Sequence, residues 1–388
     1  MKYLIIGNGV AGDEASIMIG KNDATAEIKL ISESINYFYY KPKLINYLAN
    51  EISLNKFTIH KKAFYEKMNI KNIPGTKITK INPDKNIVIA EDKTEYEYDK
   101  LLLATGSRAF IPAIKGANKN GVFTIREVED CDNILEYIKD KNSIVVIGGG
   151  LLGLETANSL RSLNKKVTVI EYFSTLLPRQ LDNDGANLLK KMLEKKGLNF
   201  ILPGIVEIIE GKDKVEKVIL KSGKEIKADA VIVSAGIRGR IELAQDIGIK
   251  INKGIVVNDF MQTSVENIYS AGDSVEHNGK LYGIWKASKE QGKIAGLNMV
   301  GIKTKYNGTL FSNILKVTGI DLYSAGNFDS KNGEILISKN GNEYIKFIIK
   351  NNQLIGAIVL GNANAVKIAS KDFEGKASVE ELKNLFDR

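Results

Sequence analysis

Gly7-Asn8-Gly9-Val10-Ala11-Gly12 (GNGVAG) and Gly148-Gly149-Gly150-Leu151-Leu152-Gly153 (GGGLLG) are two copies of one short glycine pattern. Each copy follows an apolar run and precedes a segment with helical periodicity. In such a turn the first glycine bends the chain out of a strand, the second lets the backbone approach a pyrophosphate, and the third lets helix and strand pack closely. The two stretches therefore predict two strand–turn–helix units that bind dinucleotides at helix N-termini.

Each glycine pattern is followed, about twenty residues later, by an acidic residue that closes the next predicted strand. These residues are Glu33, after the strand 27–32, and Glu171, after the strand 167–170. A carboxylate in this position accepts hydrogen bonds from ribose hydroxyl groups. A single glycine pattern is weak evidence, but two patterns that both carry the acid predict two dinucleotide sites in one chain.

Glu171 also bears on the choice between the two nicotinamide dinucleotides. Its negative charge would repel the 2′-phosphate of NADPH, and the next residues are Tyr172 and Phe173 rather than the arginine that NADP sites usually supply. We therefore expect NADH as the donor, although Arg179 or Lys166 could still reach a 2′-phosphate.

The predicted elements alternate between strands and helices around both glycine patterns, which is typical of an α/β fold. Two short strands at 77–81 and 87–90 add a β-meander. We expect two Rossmann-like dinucleotide-binding domains, each three layers with a parallel sheet plus a meander, and a small C-terminal α+β domain. The predicted domains are residues 1–108 with 241–308, residues 109–240, and residues 309–388.

The single cysteine and the two histidines limit the metal and thiol chemistry of the chain. One cysteine excludes an internal disulfide and a thiolate cluster for zinc or iron–sulfur. Cys131 lies among three acidic residues, which raise the pKa of a thiol, so we expect a structural role. His60 and His277 are far apart in the chain and are expected on the surface, so no metal site is predicted.

No stretch is long and apolar enough to cross a bilayer, and Met1–Ile6 leads into the first glycine pattern as a strand rather than a leader peptide. We therefore expect a cytoplasmic protein with no membrane partner. The net charge of +9 is concentrated, because residues 41–80 hold nine lysines and two glutamates, and residues 280–305 hold six lysines and one glutamate. No nucleic-acid-binding motif accompanies this charge, so a nucleic acid partner is not expected.

Three further motifs stand in order with the two glycine patterns: residues 98–107 (YDKLLLATGS), 231–237 (VIVSAGI) and 267–273 (NIYSAGD). Together they resemble the FAD-dependent pyridine nucleotide-disulfide oxidoreductase superfamily over nearly the whole chain. The resemblance implies that FAD lies at the first glycine pattern and NADH at the second. It also implies that Asp273 holds the ribityl or pyrophosphate part of FAD, and that Ala104-Thr105-Gly106 marks the crossover between the two domains.

The resemblance implies a set of contact residues for each cofactor. For FAD they are Gly7, Gly9, Val10, Ala11, Gly12, Glu33, Lys41, Ala104, Thr105, Gly106, Asp273 and Trp285. For NADH they are Gly148, Gly150, Leu151, Leu152, Gly153, Glu171 and Gly236. Lys41, Glu155 and Trp285 are further expected to position or tune the flavin, and no residue is needed as a general acid or base.

The stretch 39–44 (YYKPKL) separates the branches of the superfamily, because the disulfide reductases and their relatives carry one or two cysteines there. Its lack of cysteine excludes thiol–disulfide chemistry at the flavin. The stretch instead resembles the Arg-Pro segment of rubredoxin and ferredoxin reductases, with Lys41 in place of the usual arginine. Ferredoxin reductases often pair a lysine five residues further on with a glutamate. Here Asn46 stands at the lysine position and Glu155 matches the glutamate, which leaves the existence of such a pair open.

Residues 315–326 are similar to NADH:rubredoxin oxidoreductases and to the flavoprotein part of assimilatory nitrite reductases. Nitrite reduction itself needs siroheme and iron–sulfur ligands, which one cysteine cannot supply. The resemblance therefore implies an FAD enzyme that takes hydride from NADH and passes electrons singly to rubredoxin or a similar small acidic redox protein. A basic rim formed by residues 41–80 and 280–305 would steer that partner toward the flavin.

Three other functions are compatible with the same motifs. They are an NADH oxidase that reduces oxygen directly, an NADH:ferredoxin-type reductase, and a redox-sensing flavoprotein without enzymatic activity. The last is disfavoured, because such proteins carry long insertions and targeting segments that we do not find here. A monomer is expected, since residues 309–388, where dimers of this superfamily often form, are short and polar.

Overall fold

The computed structural model of the chain describes residues 1–309, 312–317, 319–328, 333–373 and 378–386. The chain forms two compact units. The first unit contains Met1–Lys43, Ile52–Ala109 and Ile237–Leu310, and the second contains Leu44–Glu51, Phe110–Gly236 and Phe311–Arg388. The C-terminal residues thus belong to the second unit, and the three-domain division stays a prediction.

The strands of the described residues are numbered in chain order. Up to residue 201 they are β1 Lys2–Ile6, β2 Glu27–Ile31, β3 Ile70–Ile73, β4 Ile78–Asn82, β5 Ile87–Ala90, β6 Glu95–Glu97, β7 Lys100–Leu103, β8 Ser107–Ala109, β9 Val122–Phe123, β10 Ser143–Ile147, β11 Lys166–Ile170 and β12 Asn199–Ile201. Beyond it they are β13 Val206–Glu210, β14 Lys217–Leu220, β15 Glu225–Lys227, β16 Ala230–Val233, β17 Ile237–Gly239, β18 Ile255–Val257, β19 Ile268–Ser270, β20 Val275–His277, β21 Ser312–Val317, β22 Ile320–Gly326, β23 Glu334–Asn340, β24 Glu343–Lys350 and β25 Gln353–Leu360.

The helices of the same residues are numbered in the same way. They are α1 Val10–Asn22, α2 Leu44–Leu48, α3 Leu54–Phe57, α4 Lys62–Lys67, α5 Val128–Tyr137, α6 Leu151–Ser162, α7 Asn183–Lys195, α8 Glu242–Gln245, α9 Trp285–Met299, α10 Ala363–Phe373 and α11 Val379–Lys383, with a 3₁₀ turn at Lys41–Lys43. Among the described residues, no helix is long and apolar enough to cross a bilayer.

The first unit is built on a parallel five-stranded sheet in the order β19-β7-β1-β2-β3. The central strand β1 places Ile5 between Leu30 of β2 and Leu102 of β7. All three side chains are fully buried, and each such burial stabilises the fold by about 1.5–3 kcal/mol. This sheet confirms the predicted Rossmann-like arrangement.

The antiparallel strands β4, β5 and β6 form the predicted meander of the first unit. Strand β3 continues to Ile73, and the chain then turns at Pro74 and Gly75, the second of which has a φ of +72°. The short helices between residues 44 and 67 are not predicted from the sequence. Helices of only one or two turns are too short to show a readable hydrophobic period.

Helix α9 packs against α1 at unusually close range. A Cβ atom on Gly292 would lie 2.2 Å from the carbonyl oxygen of Ala11, and one on Gly296 would lie 2.7 Å from that of Ala15. Only glycine permits such an approach of two helix backbones. The contact holds α9, which carries Trp285 and Ser288, against the helix that follows the first glycine turn.

The second unit repeats the same plan between residues 110 and 236. Its parallel sheet runs in the order β12-β11-β10-β16-β9, and β13, β14 and β15 form a second meander. Val146 of β10 lies between Val169 of β11 and Ile232 of β16, as Ile5 lies between its neighbours in the first unit. The second copy of the glycine pattern is thus set in an equivalent sheet.

The C-terminal residues form an antiparallel sheet in the order β21-β22-β25-β24-β23, with α10 and α11 beside it. The expectation that this region is polar is wrong, because it has an apolar core that includes Tyr323, Phe347 and Val359, all fully buried. Asp182 ties the sheet to α7, since its carboxylate caps α7 and lies 2.7 Å from the Tyr344 hydroxyl. Thr318, which belongs to the stretch used for the family resemblance, lies outside the described residues.

Candidate functional site

The first glycine of each pattern occupies a conformation that only glycine adopts without strain. Gly7 has a φ of +109° and Gly148 a φ of +118°. A Cβ atom on Gly7 would lie 2.1 Å from the Ala104 carbonyl oxygen, and one on Gly148 would lie 2.2 Å from that of Ser234. Both turns therefore leave their strands through the same tight bend, as the pattern predicts.

The second and third glycines differ in their surroundings, and both copies show the same difference. A Cβ atom on Gly12 or Gly153 would lie about 2 Å from the carbonyl oxygen of the first glycine of its own turn. By contrast, no atom of the residues that the structure describes lies within 4 Å of the Cβ position of Gly9 or Gly150. The third glycine thus packs helix on strand, and the second faces open space.

That open space lies at the beginning of a helix. Gly9 and Gly150 are the N-cap residues of α1 and α6, and neither helix has a side-chain cap on its first N–H groups. Val10-Ala11 and Leu151-Leu152 form the first helical residues of the two copies. Uncapped N–H groups facing open space suit a pyrophosphate, so both turns fit a dinucleotide.

A buried polar network adjoins the first turn, and the sequence analysis did not include it. The Tyr65 hydroxyl lies 2.6 Å from Asp13 Oδ1 and 3.1 Å from Asn8 Oδ1, and His60 Nδ1 lies 2.9 Å from the same Asp13 oxygen. Burial and the Asp13 carboxylate raise the pKa of Tyr65 well above its ordinary value. The Asn8 amide nitrogen is buried and, among the described residues, has no acceptor. This amide N–H group in the glycine turn is therefore suited to donate a hydrogen bond to an anionic ligand bound there.

Glu33, the acid of the first copy, is exposed and neutralised by a cation. Its carboxylate accepts a 2.7 Å hydrogen bond from the guanidinium of Arg240, and its side chain is 51% exposed. The crossover residues hold this arginine in place, because Arg240 N–H donates to the Gly106 carbonyl at 2.9 Å and Thr105 Oγ1 donates to the Arg240 carbonyl at 2.7 Å. The sequence analysis did not single out Arg240, although it follows the 231–237 motif by only three residues.

Asp273 lies after β19, at the end of the motif 267–273, where it accepts two hydroxyl hydrogen bonds. Ser107 Oγ donates to one carboxylate oxygen and Ser288 Oγ to the other, each at 3.0 Å. The preceding residue, Gly272, has a φ of +98° and donates its N–H to Gln291 at 2.9 Å. The aspartate is therefore held by β8 and α9 within the first unit.

The residues expected near the flavin form an aromatic group in the first unit. The Trp285 ring stacks on Phe38 at a centroid distance of 5.7 Å and meets Tyr40 edge to face at 4.7 Å. Lys41 follows Tyr40 directly, begins the 3₁₀ turn and is half-buried. The structure thus brings Trp285 and the start of the YYKPKL stretch together.

Glu171, the acid of the second copy, is buried and bound only by backbone. Gly149 N–H donates to its Oε2, and Phe173 N–H donates to its Oε1 at 2.9 Å. The residue is 6% exposed, and among the described residues no cationic side chain pairs with it. Gly236 of the second unit has a φ of +101°, and no atom of the described residues lies within 4 Å of its Cβ position, as is also true of Gly106 in the first unit.

Glu155 lies on α6, beyond the second glycine turn, and is half-buried. Burial raises the pKa of its carboxyl group to about 7. Asn46, which stands where a lysine would be its partner, instead donates to Glu51 at 2.6 Å. The part of the chain that the structure describes therefore contains no lysine–glutamate pair at Glu155.

The remaining thiol and imidazole groups are all at least partly buried. Cys131 is fully buried, and burial together with the neighbouring acids raises the pKa of its thiol to about 12, which agrees with a structural role. The expectation that both histidines lie on the surface is wrong. His277 is 2% exposed and lies 2.9 Å from Asp259, and His60 is half-buried in the network of Asp13.

Two equivalent glycine turns, each opening on a helix N-terminus, define a protein that binds two dinucleotides. Residues 1–292 match the family described as pyridine nucleotide-disulphide oxidoreductase, and residues 312–375 match the rubredoxin NAD+ reductase C-terminal domain. The chain belongs to the pyridine nucleotide-disulphide oxidoreductase family. Members of this family are oxidoreductases that use FAD and NAD(P)H.

Individual relatives show how far the similarity extends. The chain is 37% identical, over 93% of its residues, to the assimilatory nitrate reductase electron transfer subunit of Bacillus subtilis (strain 168), of which it covers 48%. It is 31% identical to the NADH-rubredoxin oxidoreductase of Clostridium acetobutylicum, over 99% of the chain and 97% of that protein. The crystal structure of NADH:rubredoxin oxidoreductase from Clostridium acetobutylicum superposes with a TM-score of 0.81 at 30% identity, over 97% of this chain and 96% of that one. The chain spans about half the length of the first of these relatives and nearly all of the second.

Proposed function

We propose that this chain is an NADH:rubredoxin oxidoreductase, which moves electrons from NADH onto FAD and then singly onto rubredoxin or a similar small acidic redox protein. The observation that supports this proposal most strongly is that the chain has no thiol able to accept electrons from the flavin. The stretch 39–44 beside Trp285 has no cysteine, and the one cysteine of the chain is buried with its pKa raised to about 12. Electrons therefore have no thiol acceptor within the chain and must leave it.

The choice of NADH over NADPH is part of this proposal. It is supported by the carboxylate of Glu171, which is bound by two backbone N–H groups and is paired with no cationic side chain of the described residues. A 2′-phosphate placed beside it would meet two unfavourable effects, repulsion by the carboxylate and the lack of a cation. A monomer and a cytoplasmic location belong to the same proposal.

In this proposal the residues of the chain bind and orient the two dinucleotides. The first turn, with Asn8 and the N–H groups of α1, would hold the pyrophosphate of FAD, and Glu33 and Asp273 would hold its ribose and ribityl parts. The second turn and Glu171 would hold NADH in the same way. Bound FAD supplies the change from a two-electron donor to a one-electron acceptor.

The charge of the two lysine-rich segments supports an acidic partner. Every lysine within residues 41–80 and 280–305 is exposed except Lys41, which is half-buried. Such a surface would steer a small acidic protein and raise its association rate by about 10–10³ at low salt. We expect Lys43→Glu and Lys286→Glu to lower the bimolecular rate with rubredoxin, while Lys224→Glu, an exposed lysine of the second meander, leaves it unchanged. A rate that does not vary between low and physiological ionic strength would rule out steering.

A stopped-flow comparison of acceptors tests the proposal. The FAD-loaded enzyme is reduced with NADH without oxygen and then mixed with rubredoxin, with ferredoxin or with air-saturated buffer. We expect rubredoxin to reoxidise the flavin at least about a hundredfold faster than oxygen. If oxygen reacts as fast as rubredoxin, the protein is an oxidase and the assignment fails.

A partner reductase is the second candidate acceptor. It is supported by the 37% identity to the assimilatory nitrate reductase electron transfer subunit, which extends over 93% of this chain. The same stopped-flow assay separates the two candidates when a purified nitrate or nitrite reductase is added as a fourth acceptor. A faster reaction with that reductase than with rubredoxin would favour the second candidate.

A further inference from the structure

The meander of the second unit ends on a strand whose outer edge is unpaired. Strand β15 pairs with β14, and no strand of the described residues pairs with its other side. The Lys224 carbonyl and the Ala228 N–H each form a 3.0 Å hydrogen bond toward β14. Because the direction of hydrogen bonding alternates along an antiparallel strand, the N–H and C=O groups of Glu225 and Lys227 point away from β14.

The meander covers only part of the parallel sheet beneath it. Ile170 of β11 and Ile201 of β12 belong to the apolar core between the sheet and the meander. Side chains two residues apart on a strand share one face, so Thr168 and Asn199 also face the meander. Thr168 is only half-buried, and Asn199 is exposed. The sheet face is therefore covered at Ile170 and Ile201 and open two residues earlier on both strands.

A cleft of about 710 Å³ lies where this cover ends. Thr168, Asn199 and Phe200 of the sheet line it, together with all three residues of β15. Among the described residues, its lining includes neither Glu171 nor any residue of the two glycine turns. An unpaired strand edge beside an uncovered sheet face is suited to accept an added strand from another protein.

The register of the meander determines which charge an added strand would meet. Glu210, Lys217 and Lys227 form one row across β13, β14 and β15. Lys217 pairs with Glu210 and with Glu225, each at 2.9 Å. Lys227 ends the row at the open edge, is exposed, and forms no ion pair among the described residues. The nearby Asp229 instead accepts hydrogen bonds from two backbone N–H groups.

The other charges of the cleft do not alter this balance. Glu194, the second acidic residue of the lining, pairs with Lys190 at 2.5 Å. Lys224, the second lysine of the lining, is exposed and forms no ion pair among the residues that the structure describes. The unpaired charges of the cleft are thus positive, and an acidic side chain is the favourable cross-strand neighbour of Lys227.

We propose that β15 accepts a fourth strand from a partner protein, and that this strand alternates acidic with apolar residues. Its main chain would pair with Glu225 and Lys227. Ile226 contacts the core beneath the meander, so apolar side chains of the added strand would lie beside Ile226 and its acidic side chains beside Lys227, on the outer face. This docking surface is separate from electron transfer, because it shares no residue with either proposed dinucleotide site.

A synthetic peptide tests the docking surface. The FAD-loaded full chain is titrated into a fluorescently labelled, end-capped peptide of about eight residues that alternates valine and glutamate, and anisotropy is measured. One control peptide has lysine in place of glutamate, and another keeps the glutamates but has proline in place of valine. We expect saturable binding with a Kd below about 1 mM, at least about tenfold tighter than for either control peptide. Equal binding of the proline peptide would show charge attraction without strand pairing and would overturn the proposal.

Substitutions at Lys227 separate the two parts of the recognition. Lys227→Pro removes an N–H group that points away from β14, so it blocks the added strand and leaves the existing ladder intact. Lys227→Glu keeps the backbone and reverses the charge. We expect each to weaken binding of the glutamate peptide about tenfold or more, and Lys227→Glu to strengthen binding of the lysine peptide. Lys212→Glu, which makes the same charge change at an exposed turn between β13 and β14, is the matched control and should change neither.

Hydrogen exchange shows where the peptide binds. In its presence we expect the amide protons of Glu225 and Lys227 to exchange at least about tenfold more slowly, while those of β13 are unaffected. Binding without protection of β15, or an equal loss with Lys212→Glu, would overturn the docking surface. No binding at all would mean that Lys227 only protects an open strand edge from aggregation. Each of these failures leaves the proposed function untouched, since none of the measurements involves electron transfer.

Discussion

The two glycine turns have the same backbone and different carboxylates around it. In the first unit the exposed Glu33 is paired with Arg240, and the buried Asp13 contacts His60. In the second unit the buried Glu171 is bound only by backbone N–H groups. The glycine turns are therefore suited to bind a pyrophosphate, and the acidic residues set the negative charge that surrounds the rest of the ligand.

The helices that follow the two turns repeat the contrast at matching positions. Glu14 stands two residues after Gly12, as Glu155 stands two residues after Gly153. Glu14 lies 3.8 Å from Lys289, whereas Glu155 has no ion-pair partner among the described residues and burial raises its pKa to about 7. At these matching positions the first unit thus pairs Glu33 and Glu14 with cations, whereas Glu171 and Glu155 of the second unit have no cationic partner among the described residues.

Replacing the first glycine of each turn should separate the two sites with the largest effect. Gly7→Ala and Gly148→Ala both force a side chain into a positive φ and onto a carbonyl oxygen about 2 Å away. We expect Gly7→Ala to purify with less than about a tenth of its FAD, measured by the ratio of flavin to protein absorbance. Gly148→Ala should keep its FAD and lose rapid reduction by NADH. Equal loss of FAD from both variants would contradict the separate assignment of the two turns.

Neutralising the acid of the second site should have the next largest effect. Glu171→Gln places an amide NH₂ group against one of the two N–H donors from which the carboxylate now accepts, which costs about 1–3 kcal/mol. We expect kcat/KM for NADH to fall about tenfold or more. We also expect the ratio of kcat/KM for NADH to kcat/KM for NADPH to decrease. Steady-state rates with an artificial acceptor measure both. An unchanged preference would show that Glu171 does not select the donor.

The stability of the protein should depend on pH through Glu155. Because burial raises its pKa from 4.5 to about 7, its contribution to stability is complete below pH 4.5 and is lost as the pH rises through 7. The full shift corresponds to about 3 kcal/mol, and partial exposure reduces the expected loss to about 1–2 kcal/mol. Thermal unfolding of Glu155→Gln should be less sensitive to pH between 5 and 8 than wild type. A flat wild-type profile would contradict the prediction.

The smallest effect is expected at the acid of the first site. The Glu33–Arg240 pair is exposed, and such pairs are worth about 0–1 kcal/mol. Arg240→Gln should therefore weaken FAD binding by less than about fivefold, as measured by fluorescence of released flavin. A loss of FAD as severe as that of Gly7→Ala would mean that Arg240 contacts the cofactor itself.

The backbone of both sites was predictable from the sequence, because glycine spacing reports local conformation. Gly7, Gly9 and Gly12 each show the role that their place in the pattern predicts, and the second copy agrees. The Rossmann-like sheets and the first meander also follow from apolar runs and turns that lie close together in the chain.

The electrostatics of the sites were less predictable, because they depend on residues far apart in the chain. Arg240 and Glu33 are separated by more than two hundred residues, and His60 reaches Asp13 from the segment of short helices. Burial of His277 and of the C-terminal core was likewise missed, since both depend on packing between distant strands. The hydrophobic periodicity of a sequence does not reveal contacts between residues that are far apart in the chain.

The contrast between the compensated and the uncompensated site is tested most directly by the donor preference of the wild-type enzyme. The FAD-loaded protein is reduced in stopped flow with NADH and with NADPH, and the second-order rates of flavin reduction are compared. If Glu171 acts as an unneutralised charge, NADH should be preferred by at least about tenfold, and the preference should shrink at high ionic strength. Equal rates with both donors, or a faster rate with NADPH, would contradict it.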